Sequence, residues 1–208
     1  MPTFFIIAAL SYLLGSVPFG YLLVRVFRGE DVRQSGSGNI GATNVSRTSP
    51  ALGAFTLLLD ALKGTSAVAL ADSVSTQVYG GGALHYRLMA TAALFAVLGH
   101  MFPLWLKFRG GKGVATALGS FAVIAPQPVL IAVAIFIAVV VIFRRVSLGS
   151  IVAVAAFPLL VYEMRDYGAT PVALALIIAT SLLIIARHHE NIRRLLAGTE
   201  SRVGAKRA

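Results

Sequence analysis

The 208-residue chain has no cysteine, so disulfides, thiolate nucleophiles and thiolate metal ligands are all excluded. Acids are scarce too, with eight Asp and Glu against eighteen Lys and Arg. They form no cluster resembling a zinc or di-iron pattern, and the four histidines are scattered, so no metal and no cofactor are expected. Charged residues make up 12% of the chain and hydrophobic ones 57%, with a mean hydropathy of +0.83. A soluble domain of this size carries far more charge, which leaves an integral membrane protein. In a soluble protein a net charge of +10 and a pI near 10.7 would suggest nucleic acid. Beside apolar spans the same charge points to topology signals, anionic lipid headgroups and anionic substrates, and no nucleic-acid partner is expected.

Apolar runs are abundant. Residues 1–24 carry no charge and are closed by Arg25 and Arg28. No basic residue precedes them and the run is as long as a span, so it reads as span one and not as a cleavable signal. A polar, glycine-rich loop follows over 29–50. Span two, 51–71, contains Asp60 and Lys63, three apart on one helix face and able to pair. Charge inside a membrane usually has a role, and structural pairing explains these two at least as well as substrate contact. A polar connector, 72–87, precedes span three at 88–106, with His100 near its end. Residues 113–143 are 31 uncharged positions interrupted by Pro126 and Pro128, which predicts two short helices joined by a turn at 125–128. Spans six and seven fall at 147–162 and 167–186, before a basic tail at 187–208.

The expected fold class is an all-α polytopic membrane protein. It has seven transmembrane helices, some short, in a single domain over 1–208. With the N-terminus outside, segments 25–50, 107–112, 144–146 and 187–208 are cytoplasmic and hold 15 of the 18 basic residues. The C-terminus is then cytoplasmic. A five-span alternative, with 113–143 along the interface, keeps the same inside loops.

Three inside loops carry chemistry. Residues 36–47, GSGNIGATNVSR, combine glycines, amides, hydroxyls and an arginine with no acid. Small residues permit close approach, and arginine grips phosphate bidentately. Residues 99–119, GHMFPLWLKFRGGKGVATALG, place Lys112 in a glycine-rich turn before a predicted helix start, where free N–H groups attract anions. This is not a nucleotide-binding Walker loop, because its glycine spacing differs and Gly113 stands where a hydroxyl is needed. Taken alone, Lys107, Arg109 and Lys112 read as topology charges; the flanking glycines favour Lys112 as a ligand. Residues 188–195, HHENIRRL, put His188 and Asn191 three apart on one face of a continuing helix, whereas His189, Arg193 and Arg194 suit a solvated surface. Beside Arg144 and Arg145, Ser147 suits an N-cap, and Ser150 sits one turn further in.

These motifs, in this order and between these spans, closely resemble the bacterial acyl-phosphate:glycerol-3-phosphate acyltransferases of the PlsY type. Leu14-Gly15-Ser16, Asp60-Ala61-Leu62-Lys63-Gly64 and residues 147–150 extend the resemblance over nearly the whole chain. It implies seven helices at the bacterial inner membrane with the site facing the cytoplasm. The implied reaction moves a fatty acyl group from acyl phosphate to the sn-1 hydroxyl of glycerol 3-phosphate, without metal. Lysophosphatidic acid and inorganic phosphate result, in the first acylation of phospholipid synthesis. Carried over by motif position, Ser37, Arg47, Lys112, His188 and Asn191 form the glycerol 3-phosphate site and are the catalytic candidates. Thr43, the Gly110-Gly111 backbone, Lys112 and Ser150 form the acyl-phosphate cradle, with Asn39 and Asn44 close by. The partners are these small molecules and membrane lipids, with no obligate protein partner.

The chemistry agrees. Two phosphates need fixed positive charge, many donors and few acids. An acyl phosphate is already activated, and no Gly-x-Ser-x-Gly elbow or Ser-His-Asp arrangement appears, so direct transfer without an acyl-enzyme is expected. His188 is the side-chain candidate for taking the proton, whereas the resemblance implies a substrate phosphate as base with the histidine binding it; a site full of cations depresses histidine basicity and favours the second. Two other classes compete. A phosphate-ester transporter would fit the basic loops and intramembrane Asp60 and Lys63, but the polar loops all fall on one side and not at the midplane, and no inverted repeat is visible. A metal-dependent headgroup transferase would want more acids.

Overall fold

The computed structural model describes residues 2–168 and 170–204, all helix and loop without strands. Lys206 and Arg207 of the basic tail lie outside the described residues. The first apolar run, expected as one span over 1–24, is one stretch long and apolar enough to cross, residues 2–28, built of two helices, α1 (Pro2–Gly15) and α2 (Phe19–Arg28). Pro18 lacks an N–H and breaks the ladder. At the break the Val17 carbonyl accepts from Lys63 Nζ at 2.8 Å and from the Phe19 N–H at 3.1 Å. Inside the polar loop lies a short helix, α3 (Ala42–Thr48), which the composition did not announce. Next, α4 (Pro50–Tyr79) runs 30 residues, so most of the expected connector 72–87 is helix. Nothing in 72–79 breaks a helix, and the turn comes only at Gly80, in the left-handed conformation with φ 66°.

The rest follows the proline and charge punctuation. After α5 (Ala83–Met101) and the loop 102–113 comes α6 (Val114–Ile124), joined at Ala125 to α7 (Pro126–Phe143). Pro126 opens α7 at the first helical position, where a missing N–H costs nothing. The 18 residues of α7 suffice to cross a membrane, so of this pair only the 11-residue α6 is short. Then follow α8 (Val146–Met164), α9 (Pro171–Ala186) and α10 (His189–Leu196). Against the seven transmembrane helices expected, some of them short, five stretches are long and apolar enough to cross, α9 with α10 makes a sixth if their 56° bend is counted as one span, and α6 is a shorter apolar helix. At ~1.5 Å per residue α6 reaches about half the hydrocarbon thickness.

Close packing fixes the bundle. Where α4 crosses α6, a Cβ at Gly64 would strike the Thr116 carbonyl and one at Gly119 the Ala61 carbonyl. Small residues thus bring two backbones together, as helix pairs in membranes require. Thr65 Oγ1 donates to Gly119 O across the same crossing at 3.1 Å. Leu88, Val97, Met101, Phe121, Phe157 and Ile177 centre the main core. α7 turns outward, with Leu130 and Ile142 each 70% exposed, as a lipid-facing helix would. A second apolar cluster, Val24, Val32, Ile40, Val45 and Leu106, lies under the 32–45 loop and holds it to the bundle.

Candidate active site

The three motif loops meet the start of α8 in one place. They surround a cavity of about 700 Å³ whose walls include Ser37, Asn39, Thr43, Asn44, Arg47, Lys112, Ser150, His188 and Asn191. Every expected site residue except Gly110 and Gly111 lines it.

The two asparagines of the first loop shape it. Asn44, 2% exposed, accepts from the Ser37 N–H at 2.9 Å and donates to Val32 O and Ser35 O at 3.1 and 3.0 Å. Its amide is engaged on three sides, so it fastens the loop and has little left for a substrate. Asn39 Oδ1 accepts from the Gly41 N–H at 2.8 Å, a local turn that introduces α3. Ser37, Thr43 and Arg47 are exposed at the cavity, and their side chains make no hydrogen bond to other described residues.

The Gly110-Gly111 backbone does not offer the expected cradle. Its N–H groups donate to Met101 O and His100 O, each at 3.0 Å. The glycines are needed for contact instead: a Cβ on Gly111 would overlap the His100 ring, and one on Gly110 the His100 carbonyl. Arg187 braces the same turn, with Nε 3.4 Å from Gly111 O and Nη2 3.3 Å from Gly110 O, while stacking over Phe102. Open donors lie just beyond. The first backbone bond into α6 runs from Ala117 N–H to Gly113 O at 2.8 Å, so the N–H groups of Val114, Ala115 and Thr116 have no intrahelical acceptor. Lys112 sits beside them. Burial pushes its pKa down to about 8, opposed by the Glu200 charge and helped by Arg194.

His188 and Asn191 are not on one continuing helix. The chain bends by 56° between α9 and α10, and His188 stands at the bend, 2% exposed. Its Nδ1 lies 2.8 Å from Ile184 O. A carbonyl only accepts, so Nδ1 carries the proton and Nε2 is the ring's acceptor. Burial pushes the imidazole down to about 4, against support from the Ile184 bond and with repulsion from Lys112.

One acid missed in the sequence sits in this wall. Glu200 Oε1 accepts from Ser147 Oγ at 2.5 Å and Asn191 Nδ2 at 2.7 Å, and Oε2 accepts from Arg194 Nε at 2.7 Å. Burial alone would raise the carboxyl, but these three donors outweigh it and hold it below the ordinary range. Ser147 therefore serves Glu200 and not as an N-cap, and Arg194 is no purely solvated charge. The only signal was a lone acid in the basic tail. Ser150 bonds back to Val146 O at 3.0 Å and faces the cavity.

A second cavity of about 570 Å³ shares Thr43, Ser46, Val114, Ala115, Phe136 and Ser150 with the first. It continues between α6, α7 and α8 past Leu118, Phe121, Val133 and Phe157, so an apolar groove opens from the polar pocket. Asp60, Lys63 and His100 lie deeper. Lys63 Nζ is 2.8 Å from Asp60 Oδ1, and His100 Nδ1 is 3.6 Å from the same oxygen.

Fold and site together define a helical integral membrane protein that can hold an anionic head beside an apolar tail. The chain matches the family Glycerol-3-phosphate acyltransferase over residues 5–198, and it belongs to that family, in its PlsY branch. It is 46% identical over 206 residues to the glycerol-3-phosphate acyltransferase of Syntrophotalea carbinolica, covering 99% of this chain and all of that one. It is 48% identical to the Rhizobium meliloti enzyme over 197 residues, 94% of this chain and 90% of that one. The crystal structure of PlsY, an integral membrane glycerol 3-phosphate acyltransferase, in its glycerol 3-phosphate form is 36% identical, with a TM-score of 0.85 over 97% of this chain and 96% of that one. A lysophosphatidic acid form of PlsY gives a TM-score of 0.82 at 35% identity, over 97% and 95% of the two chains. Glu200 lies beyond the matched residues 5–198.

Proposed function

We propose that the whole chain is one acyltransferase domain that moves a fatty acyl group from acyl phosphate to the sn-1 hydroxyl of glycerol 3-phosphate. The products are lysophosphatidic acid and inorganic phosphate, formed at the cytoplasmic face of the inner membrane with the N-terminus outside. One observation carries this reading: a donor-rich, cationic pocket shares a wall with an apolar groove. Glycerol 3-phosphate fits the pocket, on Ser37, Arg47, Lys112, His188 and Asn191. The acyl chain fits the groove, with its phosphate near Thr43, Ser150, Lys112 and the first turn of α6.

The glycerol hydroxyl oxygen attacks the acyl carbon, and the carbon–oxygen bond to phosphate breaks. Lys112 Nζ and the Val114 and Ala115 N–H groups stabilise the oxyanion, in place of the Gly110 and Gly111 amides, which are engaged elsewhere. Both substrates are held together, so positioning contributes much of the acceleration. The hydroxyl proton goes to a substrate phosphate. A phosphate monoester takes its second proton near pH ~6, whereas His188 is pushed down to about 4 and is the poorer base. His188 Nε2 then binds and orients.

The test gives detergent-purified protein acyl phosphate and glycerol 3-phosphate without added metal. Lysophosphatidic acid and phosphate should appear in equal amounts. Product formed only from acyl-CoA or acyl carrier protein contradicts the reading.

A further inference from the structure

The tail beyond α10 returns to the cavity. The Val203 N–H donates to Arg144 O at 2.7 Å, and Arg144 Nη2 donates to Val203 O at 2.9 Å, so two bonds pin the tail to the turn between α7 and α8. Between that anchor and α10, Glu200 reaches inward, 9% exposed, to Ser147, Asn191 and Arg194. Asn191 is 5% exposed, and its Oδ1 is buried with no hydrogen-bond partner among the described residues.

A carboxylate only accepts, so the Asn191 amide must turn its NH₂ to Glu200. Its carbonyl oxygen is thereby left as the unpartnered end of the amide, on a residue that lines the cavity. An unpartnered buried acceptor is unfavourable until a donor arrives. A phosphate dianion carries no proton to give; a hydroxyl does. We propose that Glu200 is a positioning residue: it fixes the orientation of the Asn191 amide, so that Asn191 Oδ1 accepts from a hydroxyl of the glycerol moiety and not from its phosphate. This rests on the placement of Asn191 in the glycerol 3-phosphate site. Glu200 acts through Asn191 and touches no substrate.

A double-mutant cycle on the full chain tests it, with acyl phosphate and glycerol 3-phosphate as substrates. Glu200→Ala should raise the KM for glycerol 3-phosphate roughly tenfold and leave the KM for acyl phosphate unchanged, since one charge-assisted bond then no longer orders the amide. In an Asn191→Ala background the same change should add less than about twofold, because nothing is left to orient. The swap Asn191→Asp with Glu200→Gln rebuilds the contact in reverse, with the new amide donating to the new carboxylate. It should recover roughly tenfold over Asn191→Asp alone, a rescue that also serves if Glu200→Ala folds poorly. Additive losses in the cycle, or no rescue by the swap, overturn the proposal. A gain in activity on Glu200→Ala overturns it too, and marks the tail as a plug. An unchanged KM in Asn191→Ala overturns the placement of Asn191 along with the proposal. A raised KM there with additive losses overturns the proposal alone.

Discussion

Two polar clusters border the cavity, and they differ in what their charges face. In the deeper one Asp60 and Lys63 are 2% and 5% exposed and pair at 2.8 Å, and Lys63 also caps the carbonyl freed at Val17. Its opposite charges answer each other, and the second bond ties the broken first span to α4. In the outer cluster Lys112, His188 and Asn191 each keep an atom without a partner among the described residues, and Arg47 adds charge from the first loop. Intramembrane charge by itself therefore does not mark the chemistry. Under the proposed function the chemistry falls to the open groups of the outer cluster, where the polar pocket meets the groove; in the deeper cluster Asp60 Oδ1 and His100 Nδ1 lack a hydrogen bond but face each other at 3.6 Å, with Lys63 beside the same oxygen.

That contrast can be broken from either side. Asp60→Ala strands a buried ammonium and should destabilise the fold by about 3–5 kcal/mol, read as a large drop in melting temperature. Asp60→Asn with Lys63→Met should recover much of the loss, because replacing both partners removes the uncompensated charge. Lys112→Ala should instead cut kcat/KM by roughly 10²–10³ with the melting temperature nearly unchanged, since its ammonium holds no fold contact. The pH profile sharpens the point. A protonated Lys112 is the active form and its pKa is about 8, so activity should fall roughly tenfold between pH 7 and 9. Lys112→Arg, charged at every pH, should move that limb upward in whatever activity remains. The smallest effect is expected at His188. There His188→Gln should raise the KM for glycerol 3-phosphate up to about tenfold and change kcat less, because Nε2 binds and is not the main base.

Much of this was legible in the residues. Pro126 fixed the α6–α7 joint, and Asp60 and Lys63, three apart, do pair. The motif residues do meet in one cavity, where the three motif loops meet the start of α8. What escaped depends on contacts distant in sequence or on rules with exceptions. At the break before Pro18 the Val17 carbonyl is answered by Lys63, 46 residues on, beside the local Phe19 N–H. Gly110 and Gly111 looked like free donors, yet the carbonyls that take their N–H groups belong to the end of α5. Glu200 meets Ser147 across 53 residues, a contact no local pattern announces.

The central claim is that the outer cluster, and not the buried pair, binds the substrate anion. Calorimetric titration of glycerol 3-phosphate into wild type and Lys112→Ala in detergent tests it most directly. Wild type should bind, and the variant should lose at least about a hundredfold in affinity while keeping its melting temperature. Equal affinity in the two folded proteins would contradict the account.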